Sequence, residues 1–144
     1  MNEKPIISEA QKDYARRILT QNPFVHMLGI ELVDLEHGEA LCRLTIEEKH
    51  QRAGGFVHGG VTASLIDTVM AFAVATHLAP GENSVTINLT VHYLRPLYRG
   101  AITARAKVLR TGKRIVTASA EVFDETGELA ATALTTYNKI KIER

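Results

Sequence analysis

Cysteine is nearly absent from this chain. Cys42 stands alone, so no intramolecular disulfide forms, and nothing suggests the stapled frame of a small secreted domain. Net charge is equally scarce: 17 Lys and Arg against 16 Asp and Glu leave +1, which argues against a protein that holds nucleic acid by bulk charge. The opening residues, Met1-Asn2-Glu3-Lys4-Pro5, have neither the apolar core of a signal peptide nor an Arg-rich transit pattern. The most apolar run, residues 61–79, approaches the length of a membrane span, yet Asp67 lies inside it. A central carboxylate costs roughly 2.5–3.5 kcal/mol there even on lenient insertion scales. A cytoplasmic protein with neither a membrane nor a nucleic acid as partner is the expectation.

Catalytic signatures are missing as well. There is no G-x-S-x-G elbow, no G-x-G-x-x-G and no phosphate loop. His26, His37, His50, His77 and His92 lack the spacing of metal ligands, and Cys42 offers no second thiolate, so no metal is expected. No repeat, low-complexity tract or linker interrupts residues 1–144, which read as a single domain with residues 1–23 as an N-terminal helical extension. The chain is 45% apolar and 23% charged, enough to build a full core without staples.

What is present is clear periodicity. Residues 8–19 read as a short helix with Ser8 as N-cap and Gln11 three residues on, stopped by Asn22-Pro23. Residues 30–35 and the alternation of Cys42, Leu44 and Ile46 read as two strands around the His37-Gly38 turn. A Gly-rich loop, residues 50–60, leads into an apolar helix over 61–78 that Pro80-Gly81 ends. Four strands follow. In the first, Val85, Ile87, Leu89, Val91 and Tyr93 alternate with Thr86, Asn88, Thr90 and His92. Thr111-Gly112 and residues 124–127 supply the later turns. Segregated helices and antiparallel strands predict an α+β fold, a curved antiparallel sheet wrapped around one long central helix. Such a sheet leaves an edge that a second copy would cover.

Three features point to chemistry. Four glycines in the seven positions 54–60 let the backbone approach a ligand closely before a helix whose first amides are free to polarise an oxygen; a plain tight turn explains the same composition. Asp67, about two turns into the apolar helix, is too far in to be an N-cap, and a buried carboxylate needs a reason, functional or structural. His58, before Gly59-Gly60, either orients the loop or bonds a substrate carbonyl, or simply caps it. Between Arg95 and Arg114 lie seven basic residues and no acidic one, which suits a small polyphosphate ligand as well as a solvated strand face.

The stretch Gly55-Phe56-Val57-His58-Gly59-Gly60, with Leu65 and Asp67 after it, resembles the signature of the hotdog-fold acyl-CoA thioesterases, and most of all the phenylacetate-degradation type and its 4-hydroxybenzoyl-CoA relatives. The run from Thr86 through His92, Tyr93, Arg95 and Pro96, then Gly100, the Gly112-Lys113 turn and Asp124-Glu125-Thr126-Gly127, fits the same family. The resemblance implies a hotdog fold and hydrolysis of a medium-chain or aromatic acyl-CoA. It makes Asp67 the catalytic carboxylate, general base or nucleophile, and Gly59 the amide that polarises the thioester carbonyl. His58 would be the loop histidine near that carbonyl, and Thr86 a water-positioning hydroxyl. Arg52 stands where the family usually has Asn, six residues before His58; it supplies a charged donor, or points away and leaves Gln51 to substitute. Lys113, Arg114 and Arg95 would meet the phosphates of coenzyme A, which is part of the substrate, so no cofactor is implied. In such enzymes the loop and the carboxylate come from different subunits, which implies a homodimer with sites at the interface, or a dimer of such dimers.

Two rival functions share the fold. A non-catalytic acyl-CoA sensor would need an appended DNA-binding segment, for which the residues before Phe24 are too few. An enoyl-thioester hydratase would pair an Asp and a His on one loop-helix unit, and the Gly59-Gly60 context favours hydrolysis over it.

Overall fold

The computed structural model describes residues 3–142. Ser8 caps α1 (Glu9–Gln21) through the reciprocal capping box with Gln11. Asn22-Pro23 ends that helix and at once begins another. Asn22 Oδ1 accepts from the Val25 amide, Pro23 takes the first helical position, and α2 (Pro23–Leu28) closes on Gly29 at φ 78°. The sequence reading had no helix here: six residues are too few to show a 3.6-residue period.

β1 (Ile30–Glu36) and β2 (Glu39–Thr45) form a hairpin, and α3 (Gly59–Ala75) follows the loop. Then come β3 (Glu82–Tyr93), β4 (Ala101–Thr111), β5 (Ile115–Phe123) and β6 (Leu129–Lys141). All pairings are antiparallel, in the order β1-β2-β4-β5-β6-β3. α3 packs mainly on β2, β4 and β5, burying Leu65, Ile66, Val69, Met70, Ala73 and Val74 completely. The facing strands supply small side chains (Ala104, Ala106, Ala118, Ala120), so the sheet curls closely around the helix. The apolar helix is thus the core of the fold, and no described helix is long and apolar enough to cross a membrane.

Cys42 belongs to that core. It is fully buried on β2, and burial pushes its thiol up to about 12. The expected result is no reaction with a thiol reagent at pH 8 in the native protein and one equivalent after unfolding; rapid native labelling would mean that the β2–α3 packing is wrong.

The two sheet edges differ. β1 is covered by α1: Arg16 donates to the carbonyls of Leu32 and Val33 at 3.3 and 3.1 Å, and Lys12 reaches Asp34 at 2.8 Å. β3, 12 residues long, pairs only with β6 among the described residues and exposes Val85 and Ile87 along its length. An open apolar edge of that length invites a second strand.

Candidate functional site

The loop before α3 is fixed by His50, fully buried, whose Nδ1 accepts from the Glu47 amide. Its Nε2 therefore carries the proton and donates to Leu28 O at 2.7 Å. Gly54 and Gly55 turn the chain at φ 101° and 84°, which brings Phe56 O onto the Arg52 amide at 2.7 Å. Gly59 and Gly60 lie in the first turn of α3 and are small for another reason. A Cβ at Gly59 would stand 3.3 Å from the Tyr93 ring, and one at Gly60 3.0 Å from His58 Nδ1. α3 begins at Gly59, two residues earlier than the periodicity suggests, because His58 caps it: Nδ1 accepts from the Gly60 amide at 2.8 Å. The capping reading of His58 therefore holds. Its proton sits on Nε2 when the ring is neutral, so the ring can still donate outward.

Tyr93 donates to Gly59 O at 2.8 Å, whereas the Gly59 amide has no acceptor among the described residues. Gly59 lines a cleft of about 470 Å³ together with Arg52, Phe56, Thr62, Tyr93, Arg95 and Tyr98. Gln51, the alternative to Arg52, donates one amide proton to Tyr98 O at 3.1 Å. Arg52 lies 5.9 Å from the Phe56 ring centroid and forms no ion pair among the described residues.

Asp67 lines a different cleft, of about 500 Å³, between α3, the two N-terminal helices and the start of β3. Its half-buried carboxylate is held through Oδ1, which accepts from Thr86 Oγ1 at 2.9 Å and Tyr137 Oη at 2.7 Å. A β-bulge makes the Thr86 contact possible. The β3–β6 register slips between Thr86 and Asn88, leaving Ile87 unpaired and turned out. Thr86, Leu89 and Val91 then lie opposite Tyr137, Thr135 and Ala133, on the face toward α3. Strict alternation had put Thr86 on the other face from Leu89 and Val91. Apolar side chains of Ile18, Phe24, Ala71, Phe72 and Leu78 line the rest of this cleft, while Val69 and Met70 fill the core.

The two clefts share no lining residue. Gly59 and Asp67 are eight residues apart on one helix, about 12 Å along its axis, so one chain does not bring both to a single carbonyl group. The cations are divided likewise. Arg95 follows the C-terminal end of β3 and pairs with Glu128 at 3.5 Å. Lys113 and Arg114 sit at the β4–β5 turn, where Arg114 O accepts from Lys139, the partner of Ser84 near the start of β3. Some 35 Å of strand separates the two groups within one chain.

The residue that sequence reasoning missed is Tyr137. Burial, and next the Asp67 charge, push its hydroxyl well above the usual phenol range, so it remains a donor. Its signal was faint: a hydroxyl-bearing ring on the buried face of β6, two residues from the equally buried Thr135.

The description "Thioesterase superfamily" fits residues 54–131 of this chain. Acyl-coenzyme A thioesterase 13 of Homo sapiens is 31% identical to it, over 87% of this chain and 91% of its own length. The PaaI protein of E. coli, from the phenylacetic acid degradation operon, is 25% identical and superposes with a TM-score of 0.82 over 92% of this chain and 96% of its own. A thioesterase from Haemophilus influenzae superposes with a TM-score of 0.87 over 96% of both chains; at 22% identity that likeness speaks for the fold.

Proposed function

Because the chain belongs to the thioesterase superfamily, with the hotdog fold of that family, we propose that it hydrolyses an acyl-CoA thioester, medium-chain or aromatic, to the free acid and coenzyme A. The observation that carries this reading is the Asp67 carboxylate, anchored by two hydroxyl donors beside an apolar cleft of about 500 Å³. The acyl group fills that cleft. The thioester carbonyl lies against the unpartnered Gly59 amide at the helix N-terminus, where one such donor to a developing oxyanion is worth about 2.7–4 kcal/mol. By one route Asp67 deprotonates a water that adds to the carbonyl, after which the C–S bond breaks and the proton passes to the coenzyme A thiolate. By the other it adds itself and expels that thiolate, leaving a mixed anhydride that a water then opens to the free acid. His58, with an outward Nε2–H, stands next to that carbonyl. Arg52, in the same cleft as Gly59, offers it a charged donor.

The 12 Å between Gly59 and Asp67 is why the working site takes one residue from each of two copies. Pairing of the open β3 edges about a twofold axis runs the two α3 helices in opposite directions and sets the loop of one copy toward Asp67 of the other. The same arrangement brings Arg95 of one copy toward Lys113 and Arg114 of the other, a cationic path for the phosphates of coenzyme A. The chain works in the cytoplasm, on a substrate that carries its own coenzyme.

The test is free-thiol release from acetyl-, octanoyl-, palmitoyl- and phenylacetyl-CoA. Release that favours octanoyl or phenylacetyl over the other two is the expected result. Tight binding of every acyl-CoA with no thiol released would replace the enzyme with a binding module. Loss of enoyl absorbance from an enoyl-CoA, without thiol, would make it a hydratase.

A further inference from the structure

The hydrogen bonds at Asp67 are one-sided. Oδ1 accepts from both Thr86 and Tyr137, whereas Oδ2 accepts from nothing among the described residues. No unpartnered side-chain oxygen of the half-buried residues is sealed from solvent, so Oδ2 is open to the cleft. Tyr137 makes a second tie: its hydroxyl is 2.9 Å from the backbone carbonyl of Asp67 as well as 2.7 Å from Oδ1. One phenolic proton spans the carboxylate and the main chain of the same residue. That contact fixes where the side chain leaves the helix and how its carboxylate plane turns.

Proton counting narrows the roles further. Thr86 has one hydroxyl proton, and it points to Oδ1. A water beside Thr86 can therefore donate to its oxygen but receive nothing from it. The hydroxyl serves the carboxylate first, a different task from the water positioning that the family resemblance implies. Resting on Asp67 as the reactive carboxylate of the proposed thioesterase, we infer that Tyr137 and Thr86 are joint positioning residues. They hold Oδ1 as a fixed anchor and reserve Oδ2 as the oxygen that meets the thioester or its water. Both hydroxyls are turned to Oδ1, although the two residues line the cleft. They act through Asp67 by confining it to one rotamer and one free oxygen, and preorganisation of that kind is felt in turnover more than in binding.

The experiment compares Tyr137→Phe, Thr86→Val and Thr86→Ser with wild type and Asp67→Asn, using the best acyl-CoA of the panel. Tyr137→Phe keeps the ring in the core and removes only the donor. It should lower kcat about ten- to hundredfold, the range for losing a hydrogen bond to a charged group, with KM within about twofold. Thr86→Val should fall in the same direction, and Thr86→Ser, which keeps the hydroxyl, should recover much of the loss. The double variant should lose less than the product of the two single losses, because both donors serve one oxygen.

A folded Tyr137→Phe with wild-type kcat would overturn the inference, as would an equal rise in KM that accounts for the whole loss. If Tyr137→Phe fails to fold, Thr86→Val decides. Thr86 lies on the edge strand with its side chain exposed, so its substitution leaves the core intact, and wild-type kcat there overturns the inference too. Asp67→Asn keeps the two readings apart. An inactive Asp67→Asn beside a fully active Tyr137→Phe rejects the anchoring alone; an active Asp67→Asn rejects the catalytic carboxylate and with it the function proposed above.

Discussion

Asp67→Asn is expected to stop turnover while leaving the fold intact. The substitution keeps size and shape, and the Asn carbonyl can still accept from Thr86 and Tyr137 where Oδ1 does now, so the local hydrogen bonds survive. What is lost is the negative charge and, at the Oδ2 position, a basic oxygen, which an amide NH2 replaces. A positioned general base contributes about 10²–10⁴-fold, and a nucleophile more. Thiol release should therefore drop at least into that range, with circular dichroism and the thermal midpoint close to wild type. The two donors keep an acceptor of the same size and shape in the variant, so the fold has little to lose. Near-wild-type turnover by Asp67→Asn would mean that the chemistry lies elsewhere in the molecule. A collapse of the fold would mean that the charge of Asp67 is needed to hold Thr86 and Tyr137 in place, the structural reading that the sequence leaves open.

The fold was legible because its periods are long. Nine residues of alternating β3 and the apolar run over 61–79 announce strand and buried helix unmistakably, and the order of elements follows from them. Asp67 was legible for the opposite reason: one carboxylate in an apolar helix is an anomaly that needs an explanation. α2 was not legible, since a six-residue helix depends on Asn22 and Pro23 serving as stop and start at once. Nor was the inward turn of Thr86. Nothing in the alternating pattern marks the bulge at Ile87, which depends on the register with β6, a contact some 50 residues away in sequence. Tyr137 was missed with it, because its partner is a carboxylate 70 residues earlier and no local pattern links the two. The family resemblance supplied roles for His58 and Gly59, and the geometry adds that the histidine caps the helix whose first amide stays free.

That free amide gives the sharpest test of a site built from two copies. Gly59→Pro deletes the amide proton at a position where the helix tolerates proline. Proline is favoured at the first helical position, and His58 already has the extended ψ of 132° that a following proline demands. The Gly59 amide has no partner among the described residues to lose, and a Cβ at this position stands 3.3 Å from the Tyr93 ring, which has to give by a few tenths of an ångström. On the mechanism proposed here the variant loses about 10²–10³-fold in kcat, the cost of one oxyanion donor. Co-expressing Gly59→Pro with Asp67→Asn under two affinity tags and isolating the doubly tagged species then separates the geometries. If each site takes Gly59 from one copy and Asp67 from the other, the hybrid has one site with both groups intact and one with neither. It should recover about half of wild-type turnover per dimer, although each parent alone is nearly inactive. If both groups act within one chain, every site in the hybrid carries one defect and no activity returns. The 12 Å of helix between the two residues predicts the first outcome, and the open edge of β3 supplies the surface across which the copies would meet.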